Sequence, residues 1–222
     1  MKAKLIEIVD ENPTVKTLIF EIDQKISYEP GQFIMFVFPQ GEKTIRRAYS
    51  ISSWKKQPTN QVSITLNHVP DGEFSTILFN SKINEEFEIN GPHGKFKLNN
   101  SDKPAIFIAA GTGITPLMSM IESLEHKERE MTLIYSVKTE NDIIFKEKIN
   151  RLSKNRLRFI PTLTQENIEG WKNGRIDQEL ISESISHPVE VYICGMPEFV
   201  KSVKEHLISF KIDEKDIHTE QW

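Results

Sequence analysis

Pro104-Ala105-Ile106-Phe107-Ile108-Ala109-Ala110-Gly111-Thr112-Gly113-Ile114-Thr115-Pro116 divides the chain into two halves of different kinds. Residues 105–110 form an apolar run too short for a helix and suited to a strand buried on both faces. Behind it Leu117, Met120, Ile121 and Leu124 recur at helical spacing, and Pro116 suits a first helical turn. A strand entering a helix through Gly-Thr-Gly lets the backbone approach a pyrophosphate closely. The helix start then offers free N–H groups and a favourable dipole. The third glycine of the dinucleotide fingerprint is absent. Read alone, the turn is either a phosphate loop or, more commonly, a tight strand–helix connection.

Towards the C-terminus the alternation repeats. Residues 132–135 read as strand, 143–152 as helix, 157–163 as strand, 189–194 as strand and 197–210 as helix. Strand and helix in turn predict a parallel sheet with helices on its faces. Cys194-Gly195-Met196-Pro197 ends the last strong strand at the carboxyl edge of such a sheet, where open α/β folds bind ligands. An inert buried thiol is the commoner fate of such a cysteine. The chain ends on Glu220-Gln221-Trp222. A terminal tryptophan is usually frayed, but its ring could also cover a flat ligand in a cleft and leave when a substrate arrives.

Towards the N-terminus, residues 4–98 read as about six short strands with Pro/Gly punctuation, among them 14–20, 33–38, 62–66 and 86–89. This pattern predicts a small antiparallel barrel. The polar turn Asn99-Asn100-Ser101-Asp102 marks the boundary, giving domains of residues 1–100 and 101–222. Two segments of the barrel half carry chemistry. Arg46-Arg47-Ala48-Tyr49-Ser50-Ile51-Ser52-Ser53 offers a guanidinium fork for a pyrophosphate, a ring for stacking and a hydroxyl for a heterocycle. Alternation places Arg47, Tyr49 and Ile51 on one face, with Ala48 and Ser50 on the other. The plainer reading is an amphipathic strand with a solvated arginine. Asp71-Gly72-Glu73-Phe74-Ser75-Thr76 leads into an apolar helical turn, with Ser75 and Thr76 as expected N-cap residues. It reads equally as a plain cap or as an anion site.

The composition of the 222 residues is that of a globular protein, with 38% hydrophobic and 27% charged residues. The net charge of −4 comes without a basic half, which argues against a nucleic-acid surface. No run approaches the length needed to cross a bilayer, and Glu7 interrupts any signal-peptide core, so a cytoplasmic protein is expected. With Cys194 the only cysteine, Cys₄ zinc or iron–sulfur sites are excluded on these residues, and redox chemistry needs an organic cofactor or a partner.

The motifs acquire meaning from their order. An Arg-x-Tyr-Ser strand is followed by a Gly-x-x-Ser cap, a Gly-Pro-x-Gly turn, a Gly-Thr-Gly-Ile-Thr-Pro loop and a Cys-Gly turn. Together these resemble the ferredoxin–NADP⁺ reductase family over essentially the whole chain. The resemblance implies a Greek-key flavin-binding barrel, then a nucleotide-binding α/β domain, with hydride passed in the cleft between them. It implies FAD, with FMN the less favoured alternative, and NADH or NADPH as electron donor. Arg47 would contact the flavin pyrophosphate, with Ala48 beside it. Tyr49 would stack on the isoalloxazine, and Ser50 would hydrogen-bond near its reactive N5. Glu73, Phe74, Ser75 and Thr76 would bind flavin phosphates through backbone N–H groups, and Leu66, Asn67 and His68 would line the adenosine side. Gly111, Thr112, Gly113, Ile114, Thr115 and Pro116 would form the dinucleotide loop, with Ser136, Thr164 and Gln165 also on the dinucleotide. Cys194, Gly195 and Met196 would lie at the nicotinamide. Ser50, Cys194, Glu220 and Trp222 would serve the chemistry, Trp222 shielding the flavin face.

Plant-like relatives grip the 2′-phosphate with a Ser-Arg pair, where this chain has Thr164-Gln165-Glu166. A neutral amide beside an acid suits a dianion poorly, which favours NADH. Lys138, Lys172 or Arg175 could still reach a phosphate. The implied function is a reductase that moves hydride from NAD(P)H to bound FAD and serves a separate acceptor. That acceptor is a ferredoxin, a flavodoxin, an oxygenase component or a small molecule, without nucleic acid or membrane insertion. The alternatives are a free-flavin reductase and an FAD-binding electron-transfer subunit of a larger complex.

Overall fold

The computed structural model describes residues 1–41, 43–70, 72–185 and 188–221. They fall into two compact units, one of residues Met1–Leu98 with Met118–Ser123 and the other of Asn99–Leu117 with Leu124–Trp222.

The first unit is built from strands β1 (Lys2–Asn12), β2 (Val15–Ile26), β3 (Phe33–Gln40), β4 (Lys43–Ser50), β5 (Thr59–Asn67) and β6 (Glu86–His93), with one short helix α1 (Glu73–Phe79). They pair antiparallel in the order β4-β3-β6-β1-β2-β5. The two ends of this sheet meet just beyond β4. Ile51 bridges Ile64, and the Ser52 N–H donates to the Ser63 carbonyl at 2.8 Å, closing the barrel. Closure removes the sheet edges that would otherwise invite pairing with other chains. Period-2 alternation sends Leu18, Phe20, Ile34, Phe36, Ile51 and Ile64 inward, all fully buried.

The second unit contains β7 (Ala105–Ala110), β8 (Met131–Val137), β9 (Leu157–Leu163), β10 (Lys172–Asn173), β11 (Glu190–Gly195) and β12 (Ile217–Gln221), all parallel, in the order β10-β9-β8-β7-β11-β12. Along the chain, helices α2 (Ile114–Leu124), α3 (Lys146–Ser153), α4 (Gln178–Ser184) and α5 (Pro197–Ser209) alternate with these strands, Met118–Ser123 of α2 being the part that belongs to the first unit. From β7 the chain winds one way through β8 and β9, then crosses back to β11 on the other side of β7. The crevice between the ends of β7 and β11 is therefore the topological switch point, the place where open α/β sheets bind ligands.

Two expected local features are corrected. Residues 143–145 are not helical: α3 begins at Lys146, behind Phe145, whose φ of 62° is left-handed. Asp142 Oδ2 accepts hydrogen bonds from both the N–H (2.9 Å) and the hydroxyl (2.7 Å) of Thr139, closing a separate turn ahead of the helix. Ile143, Ile144 and Phe145 are nevertheless 2–3% exposed, so their apolar character reports burial rather than helix. Likewise Ser75 and Thr76 do not cap α1. Extended Gly72 (φ −81°, ψ 100°) is the N-cap, and Ser75 lies inside the helix with its hydroxyl donating back to the Gly72 carbonyl at 3.0 Å.

Candidate functional site

In the barrel, aromatic residues of β3 prop up the expected flavin residues. The β3–β4 register places Phe36 opposite Arg47 and Ile34 opposite Tyr49, so these side chains share one face, as alternation predicts. Phe36 meets the Tyr49 ring edge-on at 5.6 Å, and Phe38 meets Phe74 of α1 at 4.8 Å. The Arg47 guanidinium then lies over the Phe74 ring, 4.7 Å from its centroid, with Nη1 donating to its neighbour's carbonyl, Arg46 O, at 3.0 Å. A cation–π contact at an exposed site is worth about 0.5–1 kcal/mol, against roughly 1.5–3 for a hydrogen bond to a charged group. Phe74 therefore orients Arg47 without competing with an anion for it. Burial pushes the half-buried Tyr49 phenol upward, opposed by the Arg47 charge, so the hydroxyl stays protonated.

Around α1 the structure also joins Thr76 Oγ1 and His68 Nε2 at 3.3 Å, with the His68 ring 4.9 Å from that of Phe79. Arg47 and Phe74 are thus brought together, as are His68 and Thr76. Leu66, by contrast, is 3% exposed in the barrel core, which leaves only its backbone for a ligand. Ala48 and Asn67 are exposed, and Ser50 is half-buried at the end of β4.

In the second unit the parallel sheet gathers the remaining expected residues along its carboxyl edge. Gly111–Gly113 follow β7, Ser136 lies near the end of β8, Thr164 and Gln165 follow β9, Cys194 and Gly195 end β11, and Glu220 lies near the end of β12. At the switch point the approach is closest. A Cβ on Gly113 would stand 2.2 Å from the Cys194 carbonyl oxygen, so no side chain fits there. Gly111 has a left-handed φ of 52°, and a Cβ added to it would meet nothing within 4 Å, which leaves the loop's outer side open. These are the two properties a pyrophosphate cradle needs, a tight inner turn and an uncovered outer backbone. Only Gly111 and Thr112 of the loop reach the surface; Ile114, Thr115 and Pro116 are buried. The Thr115 hydroxyl caps the Thr112 carbonyl at 2.7 Å.

Tyr135 was not among the expected residues, yet its hydroxyl donates to the Gly111 carbonyl at 2.9 Å and braces the loop. Only strand register reveals it, because Tyr135 lies opposite Ala109 on the neighbouring strand. Beyond β9, Glu166 is also held: its Oε2 accepts the Glu140 N–H at 2.7 Å, while Gln165 N–H donates to the Lys138 carbonyl at 2.9 Å.

Two titratable groups at the edge are perturbed. Cys194 is fully buried, and burial, with a smaller contribution from Glu220, pushes its thiol far up. It is a neutral packing group, not a thiolate. Its parallel-register partner is Glu220. Burial raises the Glu220 carboxyl from the usual carboxylate range to about 7, and its Oε2 has no hydrogen-bond partner among the described residues. Trp222, expected to shield the flavin, lies outside the described residues.

Residues 2–98 match the family model of the oxidoreductase FAD-binding domain, and residues 107–205 that of the oxidoreductase NAD-binding domain. The chain is 27% identical to the 2-halobenzoate 1,2-dioxygenase electron transfer component of Burkholderia cepacia over 93% of this chain and 62% of that protein. It is 27% identical to ferredoxin–NADP reductase B of Sorangium cellulosum over 100% of this chain and 97% of that protein. The chain spans 60–65% of the length of the oxygenase reductase components named among its relatives. Among solved structures, the FAD/NAD-binding domain of nitric oxide dioxygenase from Vibrio cholerae has the same fold, with a TM-score of 0.90 at 21% identity, covering 100% of this chain and 98% of that one.

Proposed function

The chain belongs to the ferredoxin–NADP⁺ reductase family, pairing an FAD-binding with an NAD-binding domain, and on that premise we propose that it oxidises NADH and passes the electrons to a separate acceptor. The observation that carries this reading is the carboxyl edge of the parallel sheet. There the open Gly111 turn, the close approach of Gly113 to Cys194, and the half-buried Glu220 carboxyl lie on one edge. The acceptor belongs to the class served by related reductases: an oxygenase component, a ferredoxin- or flavodoxin-like protein, or a small molecule.

When bound, FAD supplies hydride acceptance and the release of electrons singly or in pairs, chemistry that no side chain offers. The protein's task is to bind, orient and control protons. Arg47 takes the flavin pyrophosphate, Tyr49 covers one ring face and Ser50 bonds the reactive edge, while the start of α1 and His68 serve the nucleotide end. Gly111–Gly113 take the dinucleotide pyrophosphate at the start of α2. Neutral Cys194, fully buried at the end of β11, packs beneath the place proposed for the nicotinamide and does not react. Glu220, with its carboxyl raised to about 7, holds a proton below that pH and surrenders it as pH rises through 7.

The donor is NADH. The acid Glu166 is fixed beside Gln165 by the Glu140 N–H, and Lys172 is held by Asp177 (3.3 Å) and Glu179 (3.5 Å), so a 2′-phosphate would meet an acid where it needs a cation. One missing charge-assisted hydrogen bond corresponds to roughly tenfold or more in affinity. With an artificial acceptor, kcat/KM for NADH should exceed that for NADPH by at least about tenfold, and Gln165→Arg should narrow the gap. A preference for NADPH in the unaltered protein would sink the assignment of Gln165 and Glu166 to the ribose.

A further inference from the structure

β12 is a five-residue strand at the edge of the sheet, paired among the described residues with β11 alone. Such a strand has one ladder of hydrogen bonds and is prone to fray, yet it carries Glu220. Something must hold it in register. The candidates lie at its other end, where the amino edge of the sheet buries a polar cluster.

His218 Nε2 stands 2.6 Å from Glu190 Oε2, and Glu190, the first residue of β11, is only 5% exposed. With the carboxylate as acceptor, the ring N–H is the donor. Asn99 Nδ2 lies 3.2 Å from both groups, and the Asn99 N–H donates to the Tyr192 hydroxyl at 2.9 Å. The His218 ring stacks on Tyr192 at 4.8 Å, and Tyr192 stacks on Phe107 at 5.5 Å, so one row of rings runs across β12, β11 and β7. Arg129, 8% exposed, closes the cluster by donating to the carbonyls of Asn99 (3.1 Å) and Lys103 (2.6 Å). Lys103 in turn pairs with Asp216, two residues before His218, at 2.7 Å.

Strand geometry connects the two ends. His218 and Glu220 are two residues apart and share a face, and their partners Tyr192 and Cys194 are likewise two apart on β11. A slip of one residue would turn both side chains to the opposite face. A buried carboxylate that loses a donor is destabilised, so Glu190 favours the register that supplies His218 alongside Asn99.

We propose that His218 is a positioning residue: by pinning the start of β12 to Glu190, it keeps the half-buried Glu220 carboxyl in place beside Cys194. The catalytic consequence rests on the role of Glu220 in the function proposed for this chain, whereas the pinning itself does not.

The test uses the full chain carrying its flavin. In His218→Leu, which keeps bulk but loses the donor, hydrogen exchange of amides 217–221 should accelerate about tenfold or more relative to amides 106–108. The Glu220 carboxyl, followed by carbon NMR and identified by difference from Glu220→Gln, should titrate below its native value as water reaches it. His218→Gln, which keeps an N–H donor, should recover much of both. Unchanged exchange and unchanged Glu220 titration in His218→Leu would overturn the proposal, as would a Gln variant no better than Leu. Should His218→Leu fail to fold, Glu190→Gln carries the same readouts, with a smaller loss expected and no loss at all overturning the proposal. If Glu220→Gln leaves flavin reduction and its pH profile untouched, the chemical role of Glu220 fails while the pinning by His218 is still decided by exchange.

Discussion

Gly113→Ala is expected to destabilise the nucleotide-binding unit by about 3 kcal/mol, the upper end of the usual range for overpacking, and to abolish detectable turnover with NADH. The added methyl would stand 2.2 Å from Cys194 O, 2.6 Å from Cys194 C and 2.9 Å from the Gly195 Cα. All three are backbone atoms of β11, so no rotamer change relieves the clash, and either the turn after β7 or the end of β11 must move. Both border the switch point, so the dinucleotide site proposed there is expected to be lost with the geometry. Gly111→Ala is the control. Its left-handed φ of 52° makes alanine strained by about 1 kcal/mol, but the methyl meets nothing within 4 Å. It should fold nearly normally and lose dinucleotide affinity through obstruction of the open side. Denaturant unfolding paired with dinucleotide titration separates the two, and a Gly113→Ala protein with native stability and affinity would refute the close-approach argument.

Arg47→Ala is expected to weaken flavin retention by about a hundredfold, since the role proposed for Arg47 gives it two charge-assisted hydrogen bonds to phosphate at roughly 1.5 kcal/mol each. Arg47 is exposed and, among the described residues, makes a ring contact and a local backbone contact, so stability of the flavin-free chain should change by no more than about 0.5 kcal/mol. Arg47→Lys should fall between, because an ammonium keeps the charge but not the planar fork. Flavin released on exhaustive dialysis, and the Kd from reconstitution, give the answer. Full retention in the alanine variant would remove Arg47 from the pyrophosphate.

The features that sequence made legible are those in which local pattern and tertiary placement agree. Ala105–Ala110 is a buried strand because an apolar run of that length has little else to become, and the repeated strand–helix alternation then requires a parallel sheet. Parallel strands end on one edge, so Gly113, Cys194 and Glu220 come together although more than one hundred residues separate the first from the last. The misread features turn on backbone detail. At α1 an extended glycine caps the helix, and Ser75 satisfies a carbonyl instead of an N–H. At α3 three buried apolar residues mimic a helical face while Thr139 and Asp142 close a separate turn. Tyr135 and His218 were invisible for another reason: their partners, Gly111 and Glu190, become neighbours only through strand pairing. β12 itself alternates polar residues with little apolar content, as an edge strand can, and carries no periodic signal strong enough to stand out.

Everything proposed for this chain depends on electrons passing from a nicotinamide dinucleotide to FAD held by its barrel. The most direct test is anaerobic mixing of the flavin-loaded protein with NADH while flavin absorbance is followed in a single turnover. The expected result is rapid, complete bleaching, with colour restored on adding a one-electron acceptor and slower bleaching with NADPH. A flavin that stays oxidised in saturating NADH and NADPH alike would contradict the account.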